Sequence, residues 1–535
     1  MASIRAAETG RAAGARLGWA AAVGLPALVF AFPLLYLAWS SLRLGGDLAA
    51  TVVDPQVLRP LGNSLLLAVT VSIACAALGT AAAVVVARTD VLARRTLTVL
   101  LAMPLAIPSF VGATALLTAT GPGGLVPFLP RPDGFSGAST VLSLLSYPYV
   151  YLPVLARLRA TTRSAEEAAR LLGAGPWRSL VTIVLPQLRG SVAAGSLLVF
   201  LYVLSDFGAV ALLRYETITR AIFSTRLLDR STSVTLGLLL ALLALAVAAL
   251  ARLPERAPPT AVRSSAATAL RLGAARWPVS VAAWGIVLVA LVLPGAVFVV
   301  WSVRGSAGLG TAFGGPGDGL GFLAGPVLNS ATAALAAAAA GAVFVLPLAI
   351  ASVRHPGRLT AGASALVTSV LALPGLVTAL ALVFFAIGAP GPLGLLYQSF
   401  PLLILGYVLH FGAQSLRASQ AAVAAVPGRL HEAARLLGAG GWRRFRTVDL
   451  PSIAPGVLAG AGLVLLSTLK ELPATALLAP IGFDTLATTI YFAAEDGFFA
   501  EVGVASLVLV SVSAVLTWLL ILRPQLRSAS GASDG

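Results

Sequence analysis

The chain has 535 residues, of which 58% are hydrophobic and only 10% are charged, and its mean hydropathy is +0.94. Soluble globular proteins carry about 25% charged residues, so this chain is too apolar to cover a water-facing surface. Its single cysteine, Cys75, excludes an intramolecular disulfide framework and a cysteine-based metal cluster. The composition therefore predicts an all-α polytopic membrane protein.

Apolar stretches long enough to cross a bilayer recur along the whole chain. A helix needs about 20 apolar residues to cross the hydrocarbon core. Twelve such stretches predict twelve transmembrane helices, at residues 17–42, 63–87, 96–118, 139–157, 191–213, 233–251, 277–302, 329–353, 361–388, 400–416, 456–479 and 502–522. Pro104 and Pro108 in the third stretch and Pro374 in the ninth interrupt helical hydrogen bonding. Two interpretations follow: these prolines bend their helices, or they have no special role, since proline is common in membrane helices.

The arginines predict the orientation of these helices. With the N-terminus inside, 27 arginines fall in inner segments and eight in outer ones, which satisfies the positive-inside rule. We therefore expect cytoplasmic N- and C-termini, an inner face that contacts anionic lipid, and no nucleic-acid partner. The Pro- and Arg-rich segment 252–276 is predicted to be a cytoplasmic linker, and 523–535 a cytoplasmic tail.

An internal repeat divides the chain into two halves. Residues 167–175 recur residue for residue as 432–440, at an offset of 265, and a Trp-Arg and a Leu-Pro pair follow each copy at the same offset. Each copy lies on the inner side, between the fourth and fifth predicted helix of its half. This predicts a parallel duplication. The halves cover 1–251 and 277–522, and we name 158–190 the first repeat loop and 417–455 the second repeat loop.

The repeated segment is expected to form a short helix that ends at a glycine. Glu166 and Glu167 stand in its first turn, where the helix dipole favours negative charge, and Gly173 permits the chain to turn. Two interpretations follow. The helix lies on the lipid surface as an amphipathic interfacial segment, or it docks a cytosolic protein and occurs twice because that partner is a dimer.

The spacing within the repeat resembles the signature of binding-protein-dependent ABC importer permeases of the MetI-like, type I class. That signature is Glu-Ala-Ala, three residues, Gly, nine residues, Ile, one residue and Leu-Pro. The matching residues are Glu167, Ala168, Ala169, Gly173, Ile183, Leu185 and Pro186 in the first repeat loop, and Glu432, Ala433, Ala434, Gly438, Leu450 and Pro451 in the second, where Val448 replaces Ile.

This resemblance implies the fold, the partners and the location. The chain would consist of two parallel six-helix MetI-like permease halves, and its repeat loops would couple to a separate ABC ATPase dimer. It would be a transport subunit and not an enzyme, with no cofactor of its own and with ATP used by the partner. A periplasmic or lipoprotein substrate-binding protein would deliver the substrate, and the chain would lie in the bacterial cell (inner) membrane.

Two stretches in the fifth helices narrow the expected substrate. Residues 205–215 and 470–487 resemble the corresponding stretches of ferric-iron importer permeases. Thiamine and polyamine importers share the fold and remain alternatives. Asp206 and Glu471 occupy equivalent places in the fifth helices, where acids are costly. They either line the substrate pathway or play a structural role, with Glu471 paired to Lys470 or to a backbone amide and Asp206 near the outer interface.

The outer segments after the fifth helices carry opposite charges. Arg214 and Arg220 follow the first, whereas Asp484 and Glu495 follow the second. These charges are predicted to orient the two lobes of a binding protein, one over each half, or they are solvated loop charges without a partner.

A major-facilitator secondary transporter is the main rival, since it also has twelve helices in two parallel halves. Its Gly-rich Asp-Arg-Gly-Arg marker lies between helices two and three, where this chain has Asp90, Arg94 and Arg95 without the glycines. The repeat falls between helices four and five instead, which favours the importer permease.

Overall fold

The computed structural model describes residues 2–43, 47–121, 123–128, 131–160, 171, 173, 175–226, 228–252, 271–308 and 321–522. The predicted tail, most of the predicted linker and much of the first repeat loop lie outside these ranges. Glu167, Ala168 and Ala169 are among the residues outside them. The described part of the chain is predominantly helical, because a backbone surrounded by apolar side chains must satisfy its hydrogen bonds within the segment.

The first half begins with a long helix, and the helices that follow end mostly near Arg, Gly or Pro. They are α1 (Ala2–Arg43), α2 (Asp47–Val52), α3 (Pro55–Arg88), α4 (Arg94–Leu100), α5 (Ser109–Thr120), α6 (Gly134–Ser146), α7 (Pro148–Ala160), α8 (Pro176–Ser179), α9 (Leu185–Ser205), α10 (Gly208–Leu212), α11 (Ile218–Thr225) and α12 (Arg230–Arg252).

The second half repeats much of this order. Its helices are α13 (Arg276–Val287), α14 (Leu293–Gly308), α15 (Ala324–Arg354), α16 (Arg358–Val370), α17 (Gly375–Gly388), α18 (Phe400–Ala424), α19 (Gly428–Leu436), α20 (Gly441–Arg444), α21 (Leu450–Leu469), α22 (Pro473–Leu478), α23 (Leu486–Asp496) and α24 (Phe499–Thr517).

The number of membrane spans is close to the predicted twelve. Among the described residues, nine helices are long and apolar enough to cross a membrane, or up to eleven spans if each of two bent pairs counts as one. The prediction of an all-α polytopic protein in two halves is confirmed. The predicted tenth span corresponds to α18, which is not among the nine, and its polar residues are the reason. They are His410, Gln414, Arg417 and Gln420.

The third and ninth predicted spans are each broken in two. Arg94–Ala106 meets Ser109–Thr120 at 96°, and Arg358–Val370 meets Gly375–Gly388 at 100°. Pro108 and Pro374 stand at these breaks with extended backbone (ψ 149° and 139°). Proline lacks the amide that would continue the helix. Of the two interpretations of these prolines, bending is confirmed, and each pair is a broken span or a re-entrant loop.

One compact unit comprises Met1–Leu48, Gly237–Ala241 and Ala324–Thr485. At its centre, α15, α18 and α21 pack on one another, and α1 packs against α16 and α17. Phe32 of α1 meets Phe385 of α17 edge to face, with 4.9 Å between ring centroids. We name this the first unit.

The second unit comprises Ala49–Leu236, Leu242–Leu323 and Leu486–Gly535. At its centre, α3, α7 and α9 pack on one another, and α14 packs against α24 and α5. The rings of Trp301 and Phe499 join α14 to α24 at 5.3 Å between centroids.

Both units contain the same close helix crossing. In the second unit a Cβ on Gly195 of α9 would lie 2.7 Å from the Cα of Val150 in α7, and in the first unit a Cβ on Gly460 of α21 would lie 3.1 Å from the Cα of Ser415 in α18. Both residue pairs are related by the repeat offset of 265. Small residues let membrane helices approach closely without a hydrophobic driving force, so these glycines set the crossing distance.

The two packing units do not coincide with the two halves of the sequence repeat. The first unit joins α1, from the first half, to helices of the second half, whereas the second unit joins α13, α14, α23 and α24 to helices of the first half. The predicted halves 1–251 and 277–522 therefore describe the duplication, and the contacts group the helices differently.

Candidate functional site

The second repeat loop is described along its whole length. Its helix α19 follows Pro427, whose backbone is extended (φ −63°, ψ 135°). Glu432 and Ala433 are exposed, whereas Ala434 is 8% exposed and faces inward. Only the first of the two signature alanines therefore lies on the exposed face of the helix.

A glycine in the left-handed region ends α19. Gly438 has φ +74°, its amide donates to the carbonyl oxygen of Arg435, and the amide of Ala439 donates to that of Ala434. These two bonds form a Schellman motif, which requires the left-handed conformation that glycine adopts most readily. Gly173 has φ +81° at the matching position of the first repeat loop. The prediction that these glycines turn the chain is confirmed.

A widened helical turn precedes the Leu-Pro pair in both copies. Residues 180–184 and 445–449 form π-helical turns at the repeat offset, and the amide of Leu450 donates to the carbonyl of Phe445. Pro186 and Pro451 stand in the first turns of α9 and α21. A proline ring clashes with the carbonyl four residues earlier, which favours a wider turn there. The Leu-Pro pair is thus the entry to each fifth helix.

Large apolar side chains are exposed at matching positions in the two loops. Leu171 and Leu436 are each 89% exposed, and Trp177 and Trp442 are each 74% exposed. In the second repeat loop Leu437 is also exposed, and the ring of Trp442 stacks on Phe445 with 5.7 Å between centroids. Exposed apolar patches of this kind mark sites of protein or membrane contact.

A buried ion-pair cluster, which sequence reasoning missed, holds the second repeat loop. Asp449 accepts two hydrogen bonds from Arg354, at 2.6 Å and 3.1 Å, and lies 2.5 Å from Nε2 of His431. Arg354 is the last residue of α15, His431 belongs to α19, and Asp449 directly precedes α21. We name these three residues the loop clamp. The sequence features that could have indicated the loop clamp are a His and an Asp in the loop and an Arg at the end of a helix.

The two fifth-helix acids lie in breaks between helices. Asp206 follows the end of α9, and its carboxylate accepts the amide of Ala209 at 3.1 Å. Glu471 follows α21, and its carboxylate accepts the amide of Ala474 at 3.1 Å. The prediction that the fifth helices continue through these acids is wrong, because each carboxylate binds the first turn of a new short helix, α10 or α22. A role in the substrate pathway stays a prediction.

The size of the residue that faces each acid differs between the halves and complements the length of the acid. The hydroxyl of Ser109 is a hydrogen-bond partner of Asp206. A Cβ on Gly375 would lie 2.7 Å from Oε1 of Glu471 and 3.2 Å from the His410 ring. A short acid thus faces a serine in one half, and a longer acid faces a glycine in the other.

Two asparagines hold the outer segments that follow the short helices. The amide nitrogen of Asn63 donates to the backbone oxygen of Glu216 at 2.8 Å, and that of Asn329 donates to the backbone oxygen of Asp484 at 3.0 Å. The same contact therefore recurs in each unit, at the outer end of α3 or near the start of α15.

The four predicted binding-protein contacts are not segregated by charge. Arg220 pairs with Glu216 at 2.9 Å, and Glu495 accepts the hydroxyl of Tyr491 at 2.9 Å. Burial and the nearby Glu495 carboxylate raise the pKa of Tyr491, while Arg220 opposes this shift. Arg220 and Glu495 thus lie in the second unit and act on one tyrosine. Arg214 and Asp484 are exposed, and docking at all four residues stays a prediction.

The sequence matches a known transport family over both halves. The family described as the binding-protein-dependent transport system inner membrane component matches residues 76–257 and 344–528. The chain belongs to this family. It is the permease component of an ABC importer, and the resemblance stated from the repeat loops is confirmed.

Several named permeases are similar to this chain. The Fe(3+)-transport system permease protein FbpB 2 of Haemophilus influenzae is 30% identical over 514 residues, covering 93% of this chain and 96% of its own length. A probable ABC transporter permease, y4fN of Sinorhizobium fredii, is 29% identical over 70% of this chain and 71% of its own. The molybdenum transport system permease ModB of Mycobacterium tuberculosis is 31% identical over 36% of this chain and 78% of its own.

Within this permease, both matched segments include a repeat loop. The two family segments each contain one repeat loop with its glycine, its π turn and its Leu-Pro entry. No group of three or more metal-ligating His, Cys, Asp or Glu side chains occurs among the residues of known position. The absence of a cofactor on this chain remains a prediction.

Proposed function

We propose that this permease imports ferric iron, using a separate ATPase dimer and an extracytoplasmic binding protein. The observation that carries the proposal is the likeness to the Fe(3+) permease of Haemophilus influenzae, which extends over 93% of this chain and 96% of that one. Both halves of this chain are therefore matched within one relative.

The molybdenum permeases form the second candidate class, since they also match this chain. They align with only about a third of it, 36% for the Mycobacterium tuberculosis protein, and leave most of the chain unmatched. Ferric iron is a cation and molybdate an oxyanion, and a direct transport measurement separates the two readily. Thiamine and polyamine remain further alternatives from the sequence.

The repeat loops are proposed to dock the ATPase rather than lie on lipid. An interfacial lipid-binding helix needs a continuous apolar face. Helix α19 instead carries exposed charged side chains along its length, at Arg429, Glu432 and Arg435. Leu436, the more exposed of its two exposed leucines at 89%, lies at the end beside the glycine turn, which suits insertion into a groove of a protein partner.

The orientation and the outer partner complete the proposal. The excess of arginine in the inner segments supports cytoplasmic termini and repeat loops on the cytoplasmic side. The opposite face, near Arg214 and Asp484, would then receive the binding protein in the space outside the bacterial inner membrane. Relatives that are inner-membrane permeases support this location.

Uptake into proteoliposomes tests the substrate. The permease would be reconstituted with its ATPase and binding protein, and ATP-dependent uptake of radioactive iron measured against molybdate, thiamine and spermidine as competitors. We expect iron uptake that stops when ATP is replaced by a non-hydrolysable analogue and that none of the three competitors reduces. Uptake of molybdate in place of iron would reassign the substrate while leaving the family intact.

A further inference from the structure

The loop clamp ties α19 to α15 and α21, two helices that already pack on one another. Helix α19 and the start of α21 are separated by a glycine turn and a short helix, and α15 is distant from both in sequence. Asp449, whose side chain is 2% exposed, lies between them and uses both carboxylate oxygens. Arg354 and His431 are 23% and 19% exposed, so one side of the cluster reaches water.

The geometry of the loop clamp indicates that it orients α15, α19 and α21 rather than adding to the stability of the fold. A two-pronged Arg–carboxylate contact fixes both distance and angle, which a single bond does not. Burying an ion pair gains little net stability, because desolvation offsets the attraction. Such a pair is therefore best explained here by the arrangement that it imposes on α15, α19 and α21.

We propose that the loop clamp makes α19 move as one body with α15 and α21, so that displacement of the second repeat loop is transmitted to the membrane helices. This rests on the proposed ATPase docking. Arg354, Asp449 and His431 bond to one another and act through the helices they hold, so they are positioning residues. Removing the clamp leaves docking intact and uncouples it from transport.

The first half does not carry the same cluster in its sequence. Arg88, 266 residues before Arg354, also ends its helix, but Val184 stands 265 residues before Asp449. A valine side chain accepts no hydrogen bond. At the repeat offset the first repeat loop therefore has Val184 and Glu166 where the clamp has Asp449 and His431.

The first experiment measures transport for each ATP hydrolysed in the reconstituted complex. Arg354→Gln and Asp449→Asn should each lower this ratio roughly tenfold, within the usual range of coupling between sites, while pull-down of the ATPase is unchanged. The double variant should lose no more than either single one, because the residues act together. Arg354→Lys keeps the charge but loses the two-pronged contact and should give an intermediate ratio.

Arg358→Gln is the matched control. Arg358 lies four residues beyond Arg354, is exposed, and begins α16 without contacting the clamp. It should keep the wild-type ratio. Wild-type ratios in Asp449→Asn and Arg354→Lys, or losses that multiply in the double variant, would overturn the proposal.

A second measurement is independent of any substrate. Spin labels at Arg429 of α19 and at Leu458, which is 69% exposed on α21, would be introduced in a Cys75→Ala background. The distance distribution between them should be narrow in the otherwise unchanged permease and at least twofold broader in Asp449→Asn. An unchanged distribution would refute the clamp even if the iron assignment holds, and a broader one would support it even if another substrate is transported.

Discussion

The two halves of the permease are alike in the exposed residues of their repeat loops and different in several buried contacts. The repeat loops share the glycine turn, the π turn, and a leucine and a tryptophan with equal exposures. The buried neighbours differ: Asp206 faces Ser109 where Glu471 faces Gly375, and Val184 stands where the second half has Asp449. The proposed ATPase dimer would present the same groove twice and so would constrain both surfaces equally. Buried contacts need only fit each other, so they can diverge together.

The strongest test of this comparison targets the shared exposed leucines. Leu171→Asp and Leu436→Asp place a charge where an apolar side chain would be buried by the ATPase. Each should weaken ATPase binding by about 2 kcal/mol, roughly 30-fold in affinity, as for central interface residues. Binding of the purified ATPase to the detergent-solubilised permease measures this.

Leu395→Asp provides the control for that pair. Leu395 is 81% exposed but lies on the outer side of the predicted topology, so its replacement should leave ATPase binding unchanged. Equal losses at all three positions would argue against docking by the repeat loops.

The next largest effect is expected on the unfolding free energy when Gly375, which faces Glu471, is replaced. Gly375→Ser adds a Cβ 2.7 Å from Oε1 of Glu471, and overpacking of this kind costs about 2 kcal/mol of unfolding free energy. Adding Glu471→Asp recreates the pair of the first half and should restore at least half of that loss. Thermal unfolding in detergent measures both variants, and a double variant no more stable than Gly375→Ser would break the argument for paired change.

A smaller effect is expected at the loop glycine. Gly438→Ala forces a residue with a Cβ into φ +74°, which costs about 1 kcal/mol or slightly more. Gly440→Ala is the matched control, because Gly440 has φ −63° and open space around it. Hydrogen exchange of the α19 amides should be faster in the first variant only. Similar exchange in both would show that the positive φ does not matter.

The smallest effect concerns the start of the sixth helix, where the halves differ. Asp229 precedes α12 and accepts the hydroxyl of Ser231 at 2.6 Å and the amide of Thr232 at 3.1 Å. In the second half Phe498 stands before α24 and provides no side-chain cap. Asp229→Ala should cost about 1 kcal/mol or less, as for other N-cap residues.

Hydrogen bonds from Ser231 and Thr232 lower the pKa of Asp229. Its contribution is therefore complete above the pKa of the unfolded chain, about 3.9, and is lost as the pH falls through the lower folded value. Unfolding of the wild type and of Asp229→Ala should differ at pH 7, and the difference should shrink as the pH falls below about 3.9. A difference that does not shrink at acidic pH would show that the carboxylate charge is not the cause.

The sequence anticipated the long helices and the breaks at Pro108 and Pro374, but not the breaks at the two fifth-helix acids. Apolar runs located all twelve helical regions, and the offset of 265 located both repeat loops. The ends of the fifth helices at Ser205 and Leu469 were missed, because hydropathy stays high through Asp206 and Glu471. A carboxylate that binds the next helical turn looks the same in sequence as one inside a helix. The loop clamp was missed because Arg354 and Asp449 are 95 residues apart.

Sequence alone determined that this chain crosses a membrane, that it is duplicated and that it belongs among importer permeases, since composition, periodicity and a local signature are properties of adjacent residues. Tertiary structure decided which helices share a unit, where the broken spans turn, and what surrounds Asp206, Glu471 and Asp449. Those outcomes depend on contacts between residues far apart in the chain. Such contacts are set by packing and hydrogen-bond partners that no single segment contains.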